Sequence, residues 1–218
     1  MNKHPSDYQN IIFDLGGVLL NLDFNRTKVE FRKSLPHLAD ESFLGHVNQL
    51  SLFSIYEVGK ISTDDFYSEF KNHFQTDITF DQFKTCWNAM ILDFPKMRVN
   101  FLKQLRQNGK KLFLISNINE LHELSVEDQF NKLGENVSFS SLFDNFYYSH
   151  RVGIRKPNAE IFDMAILQNN LKTSETLFID DSLQHIEAAR KLGLDAFHLK
   201  DSNQLEKSDF YKLFRSDG

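Results

Sequence analysis

At 218 residues, with a net charge of −5 and a pI near 5.9, the chain has room for one substantial core, or a core plus a small inserted unit. No lysine- or arginine-rich block is present, which argues against a nucleic-acid partner, because binding a phosphate backbone requires clustered positive charge. Cys86 is the single cysteine, so no disulfide forms within the chain and a reducing compartment is expected. Residues 1–10 are polar and no apolar run approaches membrane-spanning length, so the expectation is a cytoplasmic protein with no membrane partner.

The first element is Ile11-Ile12-Phe13-Asp14-Leu15-Gly16-Gly17-Val18. It reads as a buried strand that delivers Asp14 to a glycine turn, where the backbone turns sharply and approaches a ligand. Residues 20–95 then read as helical throughout, with stops near Pro36, Gly45, Gly59 and Pro95. Many of the 22 phenylalanines lie here, Phe31, Phe66, Phe70 and Phe83 among them. They fit a small helical unit that builds its core from few, large side chains; an aromatic pocket is the alternative.

After residue 110 strands and helices alternate. Lys111–Asn117, Asn145–Ser149, Thr176–Asp181 and Asp195–Leu199 read as strands. Val99, Leu102 and Leu105 mark a helix before Gly109, Ile161, Met164 and Ala165 one after Pro157, and Ile186 and Ala189 one ending at Gly193. This rhythm predicts an α/β fold, a Rossmann-like parallel sheet covered on both faces. The expected division is a core of residues 1–19 and 96–218 with a small helical cap, 20–95, inserted after the first strand.

The chemistry-bearing residues fall at strand ends, where a parallel sheet gathers them at one edge. They are Asp14, Ser116 with Asn117, Lys156 in the loop before Pro157, and the pair Asp180-Asp181. A nucleophile, a hydroxyl, a cation and an acidic pair make a set suited to phosphoryl transfer. Each also has a plain structural reading. Asn117 with Glu120 fits a helix-capping box, Asp181 or Ser182 fits a cap for the next helix, and Lys156 fits a solvated loop. The acidic pair is the hardest to explain structurally, since neighbouring carboxylates repel and a divalent cation relieves the repulsion.

In order and chemistry these motifs resemble the haloacid dehalogenase superfamily of aspartate-nucleophile phosphatases, over nearly the whole chain. The resemblance implies Asp14 as nucleophile, Lys156 as the group that stabilises its charge, and Ser116, Asn117 and Gly17 as phosphate-binding positions. It implies Mg²⁺ as cofactor, held by Asp14, Asp180, Asp181 and the main-chain carbonyl of Gly16, with Asp181 the direct ligand of the pair. A nearer resemblance is to the α-D-glucose-1-phosphate phosphatase-like branch, through Phe13–Gly16, Glu57–Ser62, Ser116–His122, Arg155–Pro157 and Asp180-Asp181. Val58 departs from that branch, where an arginine is expected. The implied partner is a small phosphorylated metabolite, such as a sugar 1-phosphate, and the protein is expected as a monomer or homodimer.

Most phosphatases of the superfamily carry a second aspartate two residues after the nucleophile, as proton donor to the leaving oxygen. Here Gly16 stands in its place. Losing general acid–base catalysis costs roughly 10²–10⁴-fold, about 2.7–5.4 kcal/mol of barrier. Gly16 alone therefore predicts a bias toward esters with stabilised leaving oxygens. Two other readings remain open: a catalytically weak or inactive binding or regulatory protein, and a 2-haloacid dehalogenase, a metal-independent reaction that leaves the acidic pair without a purpose.

Overall fold

The computed structural model describes residues 3–4, 7–36 and 51–215. The expected stop at Gly45 lies outside these residues. Five strands form one parallel sheet in the order β3-β2-β1-β4-β5. They are β1 (Asn10–Phe13), β2 (Lys111–Ser116), β3 (Asn145–Tyr148), β4 (Thr176–Asp180) and β5 (Asp195–His198). β1, the centre of the sheet, is buried along its whole length, as a parallel strand covered on both faces requires.

Successive side chains of each strand enter opposite layers. Ile11, Phe13, Leu112, Leu114, Leu177 and Ile179 pack with Val99, Leu102 and Leu105 of α5 (Lys96–Gln107) and Val126 and Phe130 of α6 (Glu120–Asn131). Ile12, Phe113, Ile115 and Phe178 pack on the other side against α8 (Ala159–Gln168) and α9 (Leu183–Lys191). The short α7 (Ser149–Val152) follows β3, and α10 (Asp209–Arg215) closes the first layer through Phe210. No helix among the described residues is long and apolar enough to cross a membrane.

Between β1 and β2 lie α1 (Phe24–Ser34), α2 (Ser51–Glu57), α3 (Thr63–Phe74) and α4 (Phe80–Asn88). Polar caps begin several of these helices: Asp23 accepts from the Asn25 amide, Ser62 from that of Asp65, and Thr79 and Gln82 form a capping box. Their apolar faces meet in a cluster of their own, with Phe31, Phe66, Phe70, Phe83 and Trp87 buried. Phe66 meets Trp87 edge-on at 4.9 Å, and Phe70 lies 4.8 Å from Phe83. The phenylalanines thus build a helical core, while Phe24 and Phe53 line a cavity.

The two ends of the helical segment are tied to each other, and its aromatic core is tied to α6. Leu22 bridges Ile91 in antiparallel fashion, a strand-like contact absent from an all-helical reading of 20–95. Leu121 of α6 joins the aromatic cluster, and its amide donates to the Tyr56 hydroxyl at 3.2 Å. Phe83 is fully buried among five aromatic neighbours, so Phe83→Ala should lower stability by about 3–5 kcal/mol in urea unfolding. A loss under about 1 kcal/mol would mean that the cluster is not close-packed.

Candidate active site

Sheet register brings the strand-end residues together. Phe13 pairs with both Leu114 and Ile179, so Asp14, Ile115 and Asp180 fall in one row and Ser116 and Asp181 one residue further on. The Asp14 amide donates to the Ile179 carbonyl at 2.8 Å, continuing the ladder to Asp14. Of these, Asp14, Ser116 and Asp181 line a cavity of about 700 Å³ between the sheet edge and the helical segment.

Lys156 is fully buried, with its ammonium 2.8 Å from Asp14 Oδ1 and 2.6 Å from Asp180 Oδ2. This rules out the solvated-loop reading. Burial opposes its charge, but the two carboxylates win and raise its pKa above the usual lysine value. Asp180 has both oxygens engaged: Oδ1 accepts from the Ser182 amide at 2.7 Å, and His185 Nδ1 lies 3.0 Å from each. Burial disfavours its charge, yet Lys156 and His185 hold its pKa below the ordinary carboxylate range. Asp14 goes the other way. Burial, with the charges of Asp180 and Asp181, pushes it up to about 7 despite Lys156.

Asn117 lines the cavity, and its side chain is bonded within the protein. Its Nδ2 donates to the Lys156 carbonyl and its Oδ1 accepts from the Lys156 amide, each at 2.9 Å. The side chain therefore clamps the backbone of Lys156. The capping reading of Asn117 is corrected: α6 starts from Asn119, whose side chain accepts from the His122 amide at 3.0 Å. Ser182 occupies the N-cap of α9 without a side-chain bond.

Carboxylate oxygens of Asp14, Asp180 and Asp181 lie within 4.8 Å of one another. Burial and the neighbouring Asp180 raise the Asp181 pKa, so charge is crowded here beyond what Lys156 neutralises. An all-oxygen, anionic donor set of this kind fits a hard divalent cation such as Mg²⁺. Gly17 allows the arrangement. Its φ is +75°, and a Cβ there would fall 2.3 Å from Asp181 Oδ2.

Several lining residues were not singled out from the sequence, because their roles come from distant partners. His122 stacks on Trp87, accepts from Asn119 through Nδ1 at 3.1 Å and faces the Trp87 carbonyl through Nε2 at 3.2 Å. Burial pushes its pKa down to about 4, so it is a neutral bridge from α6 to α4. Glu57 pairs with Arg155, joining the end of α2 to the lysine loop. Asp23, His185, Ser202 and Asn203 line the cavity from elsewhere. Removing the buried cation by Lys156→Met leaves Asp14 and Asp180 facing each other. It should lower stability by about 3–5 kcal/mol in urea unfolding at pH 8; an unchanged midpoint would mean the carboxylates do not depend on it.

Comparison with known proteins agrees with this geometry. The chain is 29% identical over 191 residues to a D-ribitol-5-phosphate phosphatase of Bacteroides thetaiotaomicron, covering 87% of this chain and 90% of that one. It is 28% identical over 201 residues to a sesquiterpene phosphatase of Aspergillus oryzae, covering 89% and 91%. A solved HAD family enzyme from Bacteroides thetaiotaomicron, an aspartate-to-alanine variant in complex with magnesium and inorganic phosphate, superposes with a TM-score of 0.82 at 27% identity, over 95% of this chain and 100% of that one. The sequence matches the haloacid dehalogenase-like hydrolase family over residues 8–193, and the chain belongs to that family.

Proposed function

We propose that this protein is a Mg²⁺-dependent phosphatase of small phosphorylated metabolites, working through an aspartyl-phosphate on Asp14. The observation that carries the reading is the convergence of Asp14, Lys156, Asp180 and Asp181 at one sheet edge, on a cavity that reaches the helical segment. Relatives named as phosphatases, and a structural neighbour holding magnesium and phosphate, support it.

In this reading the Asp14 carboxylate attacks phosphorus in line, the bond to the leaving oxygen breaks, and water then hydrolyses the acyl phosphate to restore Asp14. Lys156 keeps Asp14 aligned and counters the charge on the phosphoryl oxygens, and the buried Ser116 is available to bind one of them. Asn117 acts through Lys156 by fixing its backbone. Asp14, Asp181 and Asp180 would hold Mg²⁺, together with the Gly16 carbonyl, and the cation supplies charge neutralisation between the two anions.

Residues 20–95 serve as the cap over the leaving group. Phe24, Phe53, Trp87 and Met90 give the cavity apolar faces, while Asp23, Asn25 and Asn119 add polar groups. A sugar phosphate, including a sugar 1-phosphate, combines apolar ring faces with hydroxyls and suits such a lining. The reading favours a catalyst over an inactive binder, because the full set Asp14, Ser116, Lys156, Asp180 and Asp181 is assembled.

The test is phosphate release from glucose 1-phosphate, glucose 6-phosphate, ribitol 5-phosphate, acetyl phosphate and p-nitrophenyl phosphate, with Mg²⁺ or EDTA. Turnover should require Mg²⁺, and Asp14→Asn should lower it by roughly 10³-fold or more. Release no faster than the Asp14→Asn background would instead favour a phosphate-ligand binder. Chloride release from 2-haloacids in EDTA would favour dehalogenation. By calorimetry, Asp181→Ala should weaken Mg²⁺ binding by at least about tenfold; equal affinity would move the metal elsewhere.

A further inference from the structure

Gly16 leaves the phosphatase reading without a proton donor for the leaving oxygen. We infer that Asp23 is the general acid and base of this reaction, an assignment that rests on that reading. The space a side chain at residue 16 would enter is already filled: a Cβ there would lie 2.5 Å from Leu22 Cδ1. Leu22 and the next residue, Asp23, both line the same cavity.

The segment carrying Asp23 is held rigidly against the nucleophile loop. Asn203 clamps Leu22, accepting from its amide and donating to its carbonyl, each at 2.9 Å. The Asn203 amide in turn donates to the Gly17 carbonyl at 2.6 Å. Buried Arg98 reaches Asn21 Oδ1 at 2.9 Å, the Asn203 carbonyl, and Glu206 at 2.8 Å. The Asp23 amide donates to the Met90 carbonyl at 2.9 Å. A carboxyl on such a support is preorganised as a proton donor should be.

The other titratable groups of the cavity are committed elsewhere. Asp14 and Asp181 belong to the carboxylate cluster, and Lys156 bridges Asp14 and Asp180. Glu57 is paired with Arg155, and His185 with Asp180. His122 has both ring nitrogens occupied and is held neutral. Asp23 has one oxygen on the Asn25 amide at 3.0 Å; the other lies 3.9 Å from Arg26 Nε. Its side chain is 43% exposed, open to a substrate in the cavity.

The steps balance. As Asp14 bonds to phosphorus and the ester P–O bond breaks, protonated Asp23 gives its proton to the leaving alkoxide, releasing an alcohol. The Asp23 carboxylate then takes a proton from the water that attacks the aspartyl-phosphate, and phosphate leaves with Asp14 restored.

The assignment is tested by kcat/KM for wild type and Asp23→Asn on two ester types. kcat/KM reports the steps through departure of the leaving group. One ester is p-nitrophenyl phosphate, whose leaving phenolate needs no proton, and the others are alkyl esters, ribitol 5-phosphate and glucose 6-phosphate. Asparagine caps α1 as well as aspartate does, so the melting temperature should hold, and Asp23→Ser, also cap-competent, should behave alike. The alkyl esters should lose roughly 10²-fold or more and the aryl ester less than about threefold. Equal losses on both, or an undiminished alkyl rate, would overturn the assignment, as would wild-type turnover confined to the aryl ester. Wild type with no Asp14-dependent turnover of any of them would overturn the phosphatase reading itself, and this assignment with it.

Discussion

The ammonium of Lys156 sits, fully buried, between the carboxylates of Asp14 and Asp180. Three charges at the end of a parallel sheet are tolerable only because each finds partners that water would otherwise supply. Asp180 is the anchor: with the Ser182 amide, His185 and Lys156 around it, it stays ionised. Asn117 fixes the lysine backbone from the end of the neighbouring strand. Among the described residues Asp14 has only the lysine as ionic partner, and burial drives its pKa up to about 7. The site thus holds one settled carboxylate and one destabilised one, and the destabilised one faces the cavity.

Much of this was legible in the sequence. Apolar runs of a few residues, each ending in an acid or a hydroxyl and separated by helical periods, specify a parallel sheet whose chemistry lies on one edge. The placement of Asp14, Ser116 and the Asp180-Asp181 pair at one sheet edge was legible because strand position determines it. Lys156 was found through the proline after it, although its burial was not foreseen. The clamp that the Asn117 side chain places on Lys156 left no local signal, because a side chain at a strand end can serve a ligand or a neighbouring loop, and only the three-dimensional path of residues 155–157 decides which. Asn203 and Arg98 left no local signal, since the contacts that give them meaning span 77 to 181 residues of sequence.

The helical segment shows the same division. Its phenylalanines announced a core of large side chains, and Phe31, Phe66, Phe70 and Phe83 form one. Its coupling to the sheet was invisible beforehand. That coupling runs through Tyr56 to Leu121, Trp87 to His122 and Asn119, and Glu57 to Arg155. Trp87, His122, Asn119 and Glu57 line the cavity, so packing of the aromatic cluster and geometry at the sheet edge are linked.

The central claim is that Asp14 becomes phosphorylated. The direct measurement is acid quenching of the Mg²⁺-loaded enzyme during turnover of p-nitrophenyl phosphate, followed by peptide mapping by mass spectrometry. The account predicts a phosphoryl group on the peptide carrying Asp14, lost on treatment with hydroxylamine. Steady turnover with no phosphoryl group on that peptide, or with one on another side chain, would contradict it.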